Sequence, residues 1–92
     1  MIETFRHKGL KRLFEDGDPR GVNPQHVGKI EEILGVLQVA RMIEDMDVAN
    51  FKLHPLKGDL QGFWAVTVRA NWRIIFRFDG GHALDIDLID YH

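Results

Sequence analysis

The sequence predicts an α+β fold, in which helices pack on one face of an antiparallel sheet. Two observations support this prediction. Residues 5–46 place their apolar side chains at helical spacing, whereas residues 63–88 are rich in aromatic and β-branched residues and partly alternate apolar with polar ones. Helices that precede a group of strands in this way are expected to form a separate layer on the sheet.

The first helix is predicted over residues 5–14, where four apolar residues recur at roughly helical spacing among basic ones. Gly17 and Pro19 are expected to end it, since glycine suits a helix C-cap and proline cannot continue a helix. The pair Asn23-Pro24 then predicts a restart, with an N-cap residue before a proline at the first helical position.

The second helix is predicted from a single apolar stripe, which suits a helix packed on a core. The stripe consists of Val27, Ile30, Ile33, Leu34 and Leu37. A short third helix is expected over residues 41–46, with Met42, Ile43 and Met46 facing the same core.

Three strands are predicted, over residues 63–69, 72–78 and 84–88. In the second strand, Arg73 and Arg77 lie on the face opposite the aromatic residues. Gly80-Gly81-His82 is interpreted as a three-residue hairpin loop, because a two-residue loop would set Phe76 against Asp85. The expected pairs are Phe78 with Leu84, Phe76 with Ile86, and Arg77 with Asp85. This register also carries the last strand to Tyr91, opposite Asn71 and beside Arg73.

Length and composition limit the class of protein. The chain has 92 residues, 45% of them hydrophobic, so one domain is predicted over residues 1–92. It contains no cysteine, which excludes disulfides and thiolate-bound zinc. No apolar run approaches the ~20 residues of a membrane-spanning helix, and the first residues lack a secretory-signal pattern. We therefore expect a cytoplasmic protein without membrane association.

The charge of the chain is unevenly distributed. The net charge of −2 argues against a broadly basic nucleic-acid binder. Residues 1–14, however, carry four basic residues and one acid, and residues 52–77 carry five basic residues and one acid. A local basic surface can still attract phosphate, because phosphate responds to local potential.

Residues suited to proton transfer or phosphate binding gather in one loop, one turn and the C-terminal segment. They are His54, Lys57, Arg69, Arg73, Asp90, Tyr91 and His92. Metal-free RNA cleavage needs a base for the 2′-hydroxyl, an acid for the 5′-oxygen and cations for the phosphorane. Histidine serves either proton role, arginine and lysine stabilise the charge, and tyrosine can stack on a base.

Other chemistries find less support. The chain has no serine and no glycine-rich phosphate loop, so a serine nucleophile is excluded and a nucleotide site of that type is not indicated. A metal site built from histidines and aspartates stays open, although no ligand spacing indicates one. We expect no cofactor.

From the residues alone, each of these features also has a plain structural interpretation. His54 could be an exposed loop histidine, and Arg69 and Arg73 could be solvated charges at strand ends. Residues 90–92 could be a frayed terminus. The cations Lys8, Lys11 and Arg12 could form the solvated face of a helix.

Three motifs together carry a family resemblance: residues 53–59 (Leu-His-Pro-Leu-Lys-Gly-Asp), 71–76 (Asn-Trp-Arg-Ile-Ile-Phe) and 90–92 (Asp-Tyr-His). In this order and at this length, and with the opening residues 2–10, they resemble HigB-type toxins. This family, also called plasmid-killer toxins, belongs to the RelE/ParE superfamily of type II toxin–antitoxin systems. The resemblance covers essentially the whole chain.

The resemblance implies a RelE-like, microbial-RNase-type fold with about four strands. It implies an endoribonuclease that cuts mRNA codons in the decoding site of the small ribosomal subunit, without a metal ion. By position, the catalytic residues are His54, Arg73, Asp90, Tyr91 and His92. The substrate-binding residues are Lys57, Arg69, Arg73 and Tyr91. The implied partner is a HigA-like helix-turn-helix antitoxin, through which alone the toxin reaches operator DNA.

We further expect Lys8, Lys11 and Arg12, with Lys52, to contact ribosomal RNA rather than the scissile phosphate. One alternative is a non-catalytic relative that binds antitoxin or RNA and regulates transcription. Another is a small interaction domain with no nucleic-acid role. The presence of both histidines, the arginines and Asp90 at the motif positions favours the enzyme.

Overall fold

A computed structural model describes residues 1–91 as a helical layer on one face of a four-stranded antiparallel sheet, which confirms the predicted α+β fold. The helices are α1 (Lys8–Asp16) and α2 (Val27–Val39). The strands are β1 (His54–Pro55), β2 (Trp64–Arg69), β3 (Trp72–Asp79) and β4 (His82–Asp90), in the spatial order β1-β2-β3-β4. No helix within residues 1–91 is long and apolar enough to cross a membrane.

The first helix begins at Lys8, three residues later than predicted. Residues 2–6 instead run along the free edge of β4, where the Glu3 amide donates to the Ala83 carbonyl and the Arg6 amide donates to the Ile86 carbonyl. The His7 Nδ1 then accepts from the Leu10 amide at 3.1 Å and caps the helix. Tertiary strand pairing therefore overrides the helical spacing of Phe5.

The end of α1 follows the prediction. Gly17 adopts the left-handed conformation with φ of 68°, and its amide donates to the Leu13 carbonyl. The next residue, Asp18, accepts from the Arg20 backbone and side chain, and this hydrogen bonding lowers the pKa of Asp18 to about 2. The turn after α1 is therefore fixed by a glycine cap and one carboxylate.

The restart at Asn23-Pro24 also occurs, but its first turn is a 3-10 helix over Pro24–His26 that leads into α2. The buried face of α2 consists of Ile30, Ile33, Leu34 and Leu37, as the apolar stripe predicts. The third helix is a 3-10 turn over Ile43–Met46 that buries Met46. Met42, expected in the core, is 54% exposed, because the turn begins after it and leaves it in an extended conformation.

The three predicted strands are present as β2, β3 and β4. The polar loop between the helices and β2 additionally contains the two-residue strand β1, in which His54 lies opposite Ala65. This strand was not predicted from periodicity, because two residues cannot show an alternating pattern.

The predicted register of the β3–β4 hairpin is wrong next to the loop and correct beyond it. The loop has two residues, Gly80-Gly81, both with positive φ, so that Phe78 lies opposite Ala83 and Arg77 opposite Leu84. The register then shifts at a bulge that includes Asp85, whose φ is 54°. The bulge absorbs the mismatch, since Ile75 lies opposite Asp87 as the longer loop would require.

The two faces of the sheet carry separate apolar clusters. On the helix side, the buried residues of both helices pack against Val66, Ile74 and Phe76. On the outer face, a smaller cluster is formed by Leu56, Phe63, Ala65 and Ile75. The outer face is therefore partly apolar, and its polar residues project beside this cluster.

Candidate active site

The outer face of the sheet gathers candidates that are far apart in sequence. His54 lies opposite Ala65, Ala65 opposite Ile75, and residues paired in this way present side chains to the same face. Arg73 is two residues from Ile75 on β3 and so belongs to that face as well. One strand, β2, lies between His54 and Arg73. Strand spacing places their Cα atoms about 10 Å apart across the sheet and about 7 Å apart along it.

His54 is held in a defined orientation. Its Nδ1 lies 2.9 Å from the carbonyl oxygen of Lys52. A carbonyl oxygen can only accept, so Nδ1 carries the hydrogen and donates it. The Nε2 of a neutral His54 is then the unprotonated nitrogen. Lys52, which supplies this carbonyl, has a positive φ of 54°.

Arg73 is half-buried and anchored to its own turn. Its Nη1 donates to the carbonyl oxygens of Ala70, at 2.6 Å, and Trp72, at 3.3 Å. Ala70 has φ of 51°, so the tight turn between β2 and β3 sets the position of the first carbonyl. The Arg73 Nε is buried and has no hydrogen-bond partner within residues 1–91. Buried donors nearly always have partners, which distinguishes this guanidinium among the described residues.

The C-terminal segment continues the ladder beside Arg73. The Tyr91 amide donates to the Asn71 carbonyl at 2.7 Å, which confirms the predicted pairing. Tyr91 is 43% exposed and lies diagonally across from Arg73, at a Cα separation of about 7–8 Å for such pairs. His92, a predicted catalytic residue, lies outside the described residues.

Two predicted site residues belong to the other face. Trp72, which packs on the helix-side cluster, lies opposite both Arg69 and Asp90. The Arg69 Nη1 donates to Gln25 Oε1 at 3.2 Å, on the segment that precedes α2. The irregularity between Thr67 and Arg69 is the cause, because the extra residue there turns Arg69 to the helix side. Arg69 and Asp90 therefore reach the site only around the end of the sheet.

The remaining predicted cations fall into two groups. Lys57 is exposed in the loop after β1, and Lys52 is exposed beside His54, to which it is joined through its backbone carbonyl. Lys8, Lys11 and Arg12 are exposed on α1, whose buried residues face the helix-side cluster. The structure thus separates the α1 cations from the outer face and places Lys52 next to it.

One polar cluster of the outer face was not among the predicted site residues. Arg6 and Arg77 both lie over the ring of Phe63. Strand alternation placed Arg77 on this face, but nothing in the sequence indicated that Arg6 would join it. Within residues 1–91, no three histidine, aspartate or glutamate side chains are grouped so as to hold a metal ion.

Comparison with known proteins adds the family context. The chain is 49% identical over 92 residues to Endoribonuclease HigB of Proteus vulgaris, with both chains covered completely. Its fold is similar to that of a YoeB–YefM complex from Staphylococcus aureus, with a TM-score of 0.63, 22% identity, and coverage of 100% of this chain and 95% of that one. It is also similar to YafQ from E. coli strain BL21(DE3), with a TM-score of 0.63, 17% identity, and coverage of 96% and 89%.

These structural likenesses show the fold alone, because the identities are low. The family is shown by sequence. Residues 3–92 match the model of the HigB-like toxins, described as RelE-like toxins of the type II toxin–antitoxin system HigB. With that match over nearly the whole chain and a full-length relative at 49% identity, this chain belongs to the HigB-like toxin family.

Proposed function

We propose that this chain is an endoribonuclease toxin that cleaves messenger RNA in the decoding site of the small ribosomal subunit. One observation carries the proposal. His54 is oriented by a backbone carbonyl on the sheet face that also carries Arg73. This arrangement occurs in a chain 49% identical to a protein named as an endoribonuclease.

His54 is the base in the proposed reaction. Its hydrogen-bearing Nδ1 is occupied by the Lys52 carbonyl, so Nε2 is the nitrogen available to accept a proton. It takes the proton of the ribose 2′-hydroxyl as that oxygen attacks the adjacent phosphorus. A bond forms between the 2′-oxygen and phosphorus, and the bond from phosphorus to the 5′-oxygen breaks.

Cations stabilise the charge that develops on the phosphate oxygens. Arg73 is the principal one, because its guanidinium is planar and fixed at Nη1 by two backbone carbonyls. Lys57, on the exposed loop after β1, assists it. Arg69 assists from the end of the sheet when its guanidinium exchanges the bond to Gln25 for the phosphate.

The leaving 5′-oxygen takes its proton from the C-terminal segment, in which Asp90 and His92 are the candidate acids. Tyr91 stacks on or orients the base next to the cleaved bond. The products are a 2′,3′-cyclic phosphate and a 5′-hydroxyl. No metal ion is needed in this scheme, since side chains supply both proton transfers and the compensating charge.

The proposed biological setting is a type II toxin–antitoxin pair in the cytoplasm, with residues 1–92 acting as a single toxin domain. The partner is a HigA-like helix-turn-helix antitoxin, and operator DNA is reached only through it. The complex of the structurally similar YoeB with YefM supports an antitoxin as partner. Lys8, Lys11 and Arg12, with Lys52, bind ribosomal RNA.

The test is cleavage of a defined mRNA by the purified chain, with and without ribosomes programmed by that mRNA. We expect new ends within the codon held in the decoding site, only when ribosomes are present. Cleavage of free mRNA at the same rate would contradict the ribosome dependence. Binding of RNA or antitoxin without any cleavage would support the non-catalytic regulator instead.

A further inference from the structure

The outer face of the sheet carries a second basic feature, at the end nearer the β3–β4 turn. The Cζ of Arg6 lies 5.0 Å from the centroid of the Phe63 ring, and the Cζ of Arg77 lies 4.9 Å from the same centroid. Two guanidinium groups contact one ring, although Arg6 comes from the N-terminal segment and Arg77 from β3. We call Arg6, Phe63 and Arg77 the stacked arginine pair.

One carboxylate holds both arginines. The Nε of Arg77 lies 3.6 Å from Asp85 Oδ2, and the Nε of Arg6 lies 4.0 Å from Asp85 Oδ1. Asp85 is fixed in turn, because its amide donates to the Thr4 hydroxyl oxygen at 2.8 Å within the β4 bulge. Arg6, Arg77 and Asp85 together carry a net charge of +1, and Asp87 lies on the same face, opposite Ile75.

The arginines are exposed enough to bind a ligand. The side chains of Arg6 and Arg77 are 50% and 51% exposed, whereas Phe63 is only 3% exposed. Their contacts with the ring and with Asp85 restrict their rotamers before any ligand arrives, and arginine side chains otherwise lose much conformational freedom on binding. A fixed pair of guanidinium groups with exposed N–H donors is suited to phosphate.

The position of the cluster indicates which phosphate it serves. Phe63 lies two residues from Ala65, which is opposite His54, so it is about 7 Å along the sheet from that row and one strand away. Arg77 lies four residues from Arg73, about 13 Å further along β3. A strand that passes Tyr91, Arg73 and His54 in that order meets the stacked arginine pair next.

We propose that Arg6 and Arg77 bind a phosphate of the same single-stranded RNA, at a distance from the bond that His54 attacks. This inference rests on the proposed function. It adds that the substrate is a strand long enough to reach both ends of the sheet face, whose affinity depends on the distant contact.

The test is the binding of 2′-O-methyl oligoribonucleotides, which lack the attacking hydroxyl, measured by fluorescence anisotropy over a salt series. A trinucleotide is compared with a strand of about a dozen nucleotides, a typical span for single-strand binding proteins. For the longer strand, the variant with Arg6→Gln and Arg77→Gln should reduce the magnitude of the slope of log affinity against log salt by about 0.7. That is the change expected when one phosphate contact of a single strand is lost. For the trinucleotide the slope should not change.

Two controls separate charge from folding. Arg20→Gln removes an exposed arginine that is paired with Asp18 on the helix side, and it should leave both slopes unchanged. The variant with Arg6→Lys and Arg77→Lys keeps both charges, so it should restore the slope of the longer strand. Thermal unfolding of the wild type and the three variants reports whether the outer apolar cluster around Phe63 still packs.

Equal slopes for the wild type and the glutamine variant would overturn the inference and leave the proposed function intact. Loss of antitoxin binding with RNA binding unchanged would assign the arginines to a protein interface and would also overturn it. A wild type that binds neither RNA at low salt would also overturn this inference, whereas the proposed function would fail only if programmed ribosomes supported no cleavage.

Discussion

His54 and Arg73 are both positioned by backbone carbonyls. The carbonyls of Lys52 and Ala70 serve this purpose, and both residues have positive φ. Non-glycine residues in this conformation are uncommon and often occur where the surrounding structure imposes a function. The orientation of the two side chains therefore depends on the local backbone conformation.

The proposed proton role of His54 predicts a large effect of a single substitution. His54→Ala should lower the rate of ribosome-dependent cleavage by at least about 10²-fold, the usual effect of losing an acid–base residue. The matched control is His82→Ala, since His82 is an exposed histidine whose ring contacts Glu3 at the hairpin turn. Cleavage at the wild-type rate by the His54→Ala protein would show that His54 is not the base, whatever rate the His82→Ala protein has.

The proposed role of Arg73 at the transition state predicts a separation between binding and turnover. Arg73→Lys keeps the charge but loses the planar group that contacts two phosphate oxygens. We expect kcat to fall while KM changes little, measured with programmed ribosomes, and Arg20→Lys should change neither. If kcat is unchanged and KM rises, Arg73 is a docking residue and not part of the transition-state site.

Residue types were predictable from sequence, whereas side-chain directions were less so. The sequence placed Arg73 on the outer face by alternation, and the structure agrees. Alternation alone would also place Arg69 there, but the irregularity between Thr67 and Arg69 turns it toward Gln25. A bulge adds one residue to one strand, and no residue pattern in this segment marks it.

At the scale of elements, hydrophobic periodicity predicted the helices and long strands, and tertiary pairing decided their ends. The hairpin illustrates the limit. In a regular ladder, a two-residue loop would set Phe76 against Asp85, which is why the longer loop was predicted. The bulge at Asp85 permits both the tight Gly80-Gly81 turn and the apolar pairing beyond it. Similarly, Phe5 was predicted in the first helix, but the N-terminal segment instead pairs with the free edge of β4.

The close approach of α1 to the following turn predicts a pair of opposite stability effects. A methyl carbon on Gly9 would overlap the backbone carbonyl oxygen of Gly21, so one of the two backbone segments would have to shift. Gly9→Ala should therefore lower the free energy of unfolding by about 1–3 kcal/mol. Gly35→Ala, in α2 with nothing within 4 Å of the added carbon, should raise it by about 0.4–1 kcal/mol.

Denaturant unfolding followed by circular dichroism measures both variants. A Gly9→Ala protein as stable as the wild type would mean that α1 and the turn can separate without loss. A destabilised Gly35→Ala protein would mean that the space beside Gly35 between α1 and α2, which Leu13, Phe14, Glu31 and Leu34 also line, is more closely packed than the structure indicates.

At the scale of the whole molecule, the two layers carry two separate groups of basic residues. The outer face of the sheet carries His54, Arg73 and the stacked arginine pair, while α1 carries its own exposed cations on the helical layer. This arrangement allows one face to hold the cleaved strand while another surface contacts a large RNA. It was expected in part from sequence, which grouped the α1 cations apart from the catalytic set.

The α1 cations predict a binding defect without a catalytic one. Reversing the charge at Lys8, Lys11 and Arg12 to glutamate should weaken association with ribosomes and flatten its dependence on salt. The turnover number at saturating ribosomes should stay at the wild-type value. Arg41→Glu is a control of the same sign on an exposed loop residue. Ribosome association that is unchanged across the salt titration would show that α1 faces away from the ribosome.

The most direct measurement is the mapping of mRNA ends in cells that express either the wild type or His54→Ala at equal levels. The proposed function predicts new 5′-hydroxyl ends inside translated reading frames with the wild type, together with growth arrest, and neither effect with the variant. Growth arrest without new mRNA ends would contradict it, and so would an identical set of ends in the His54→Ala cells.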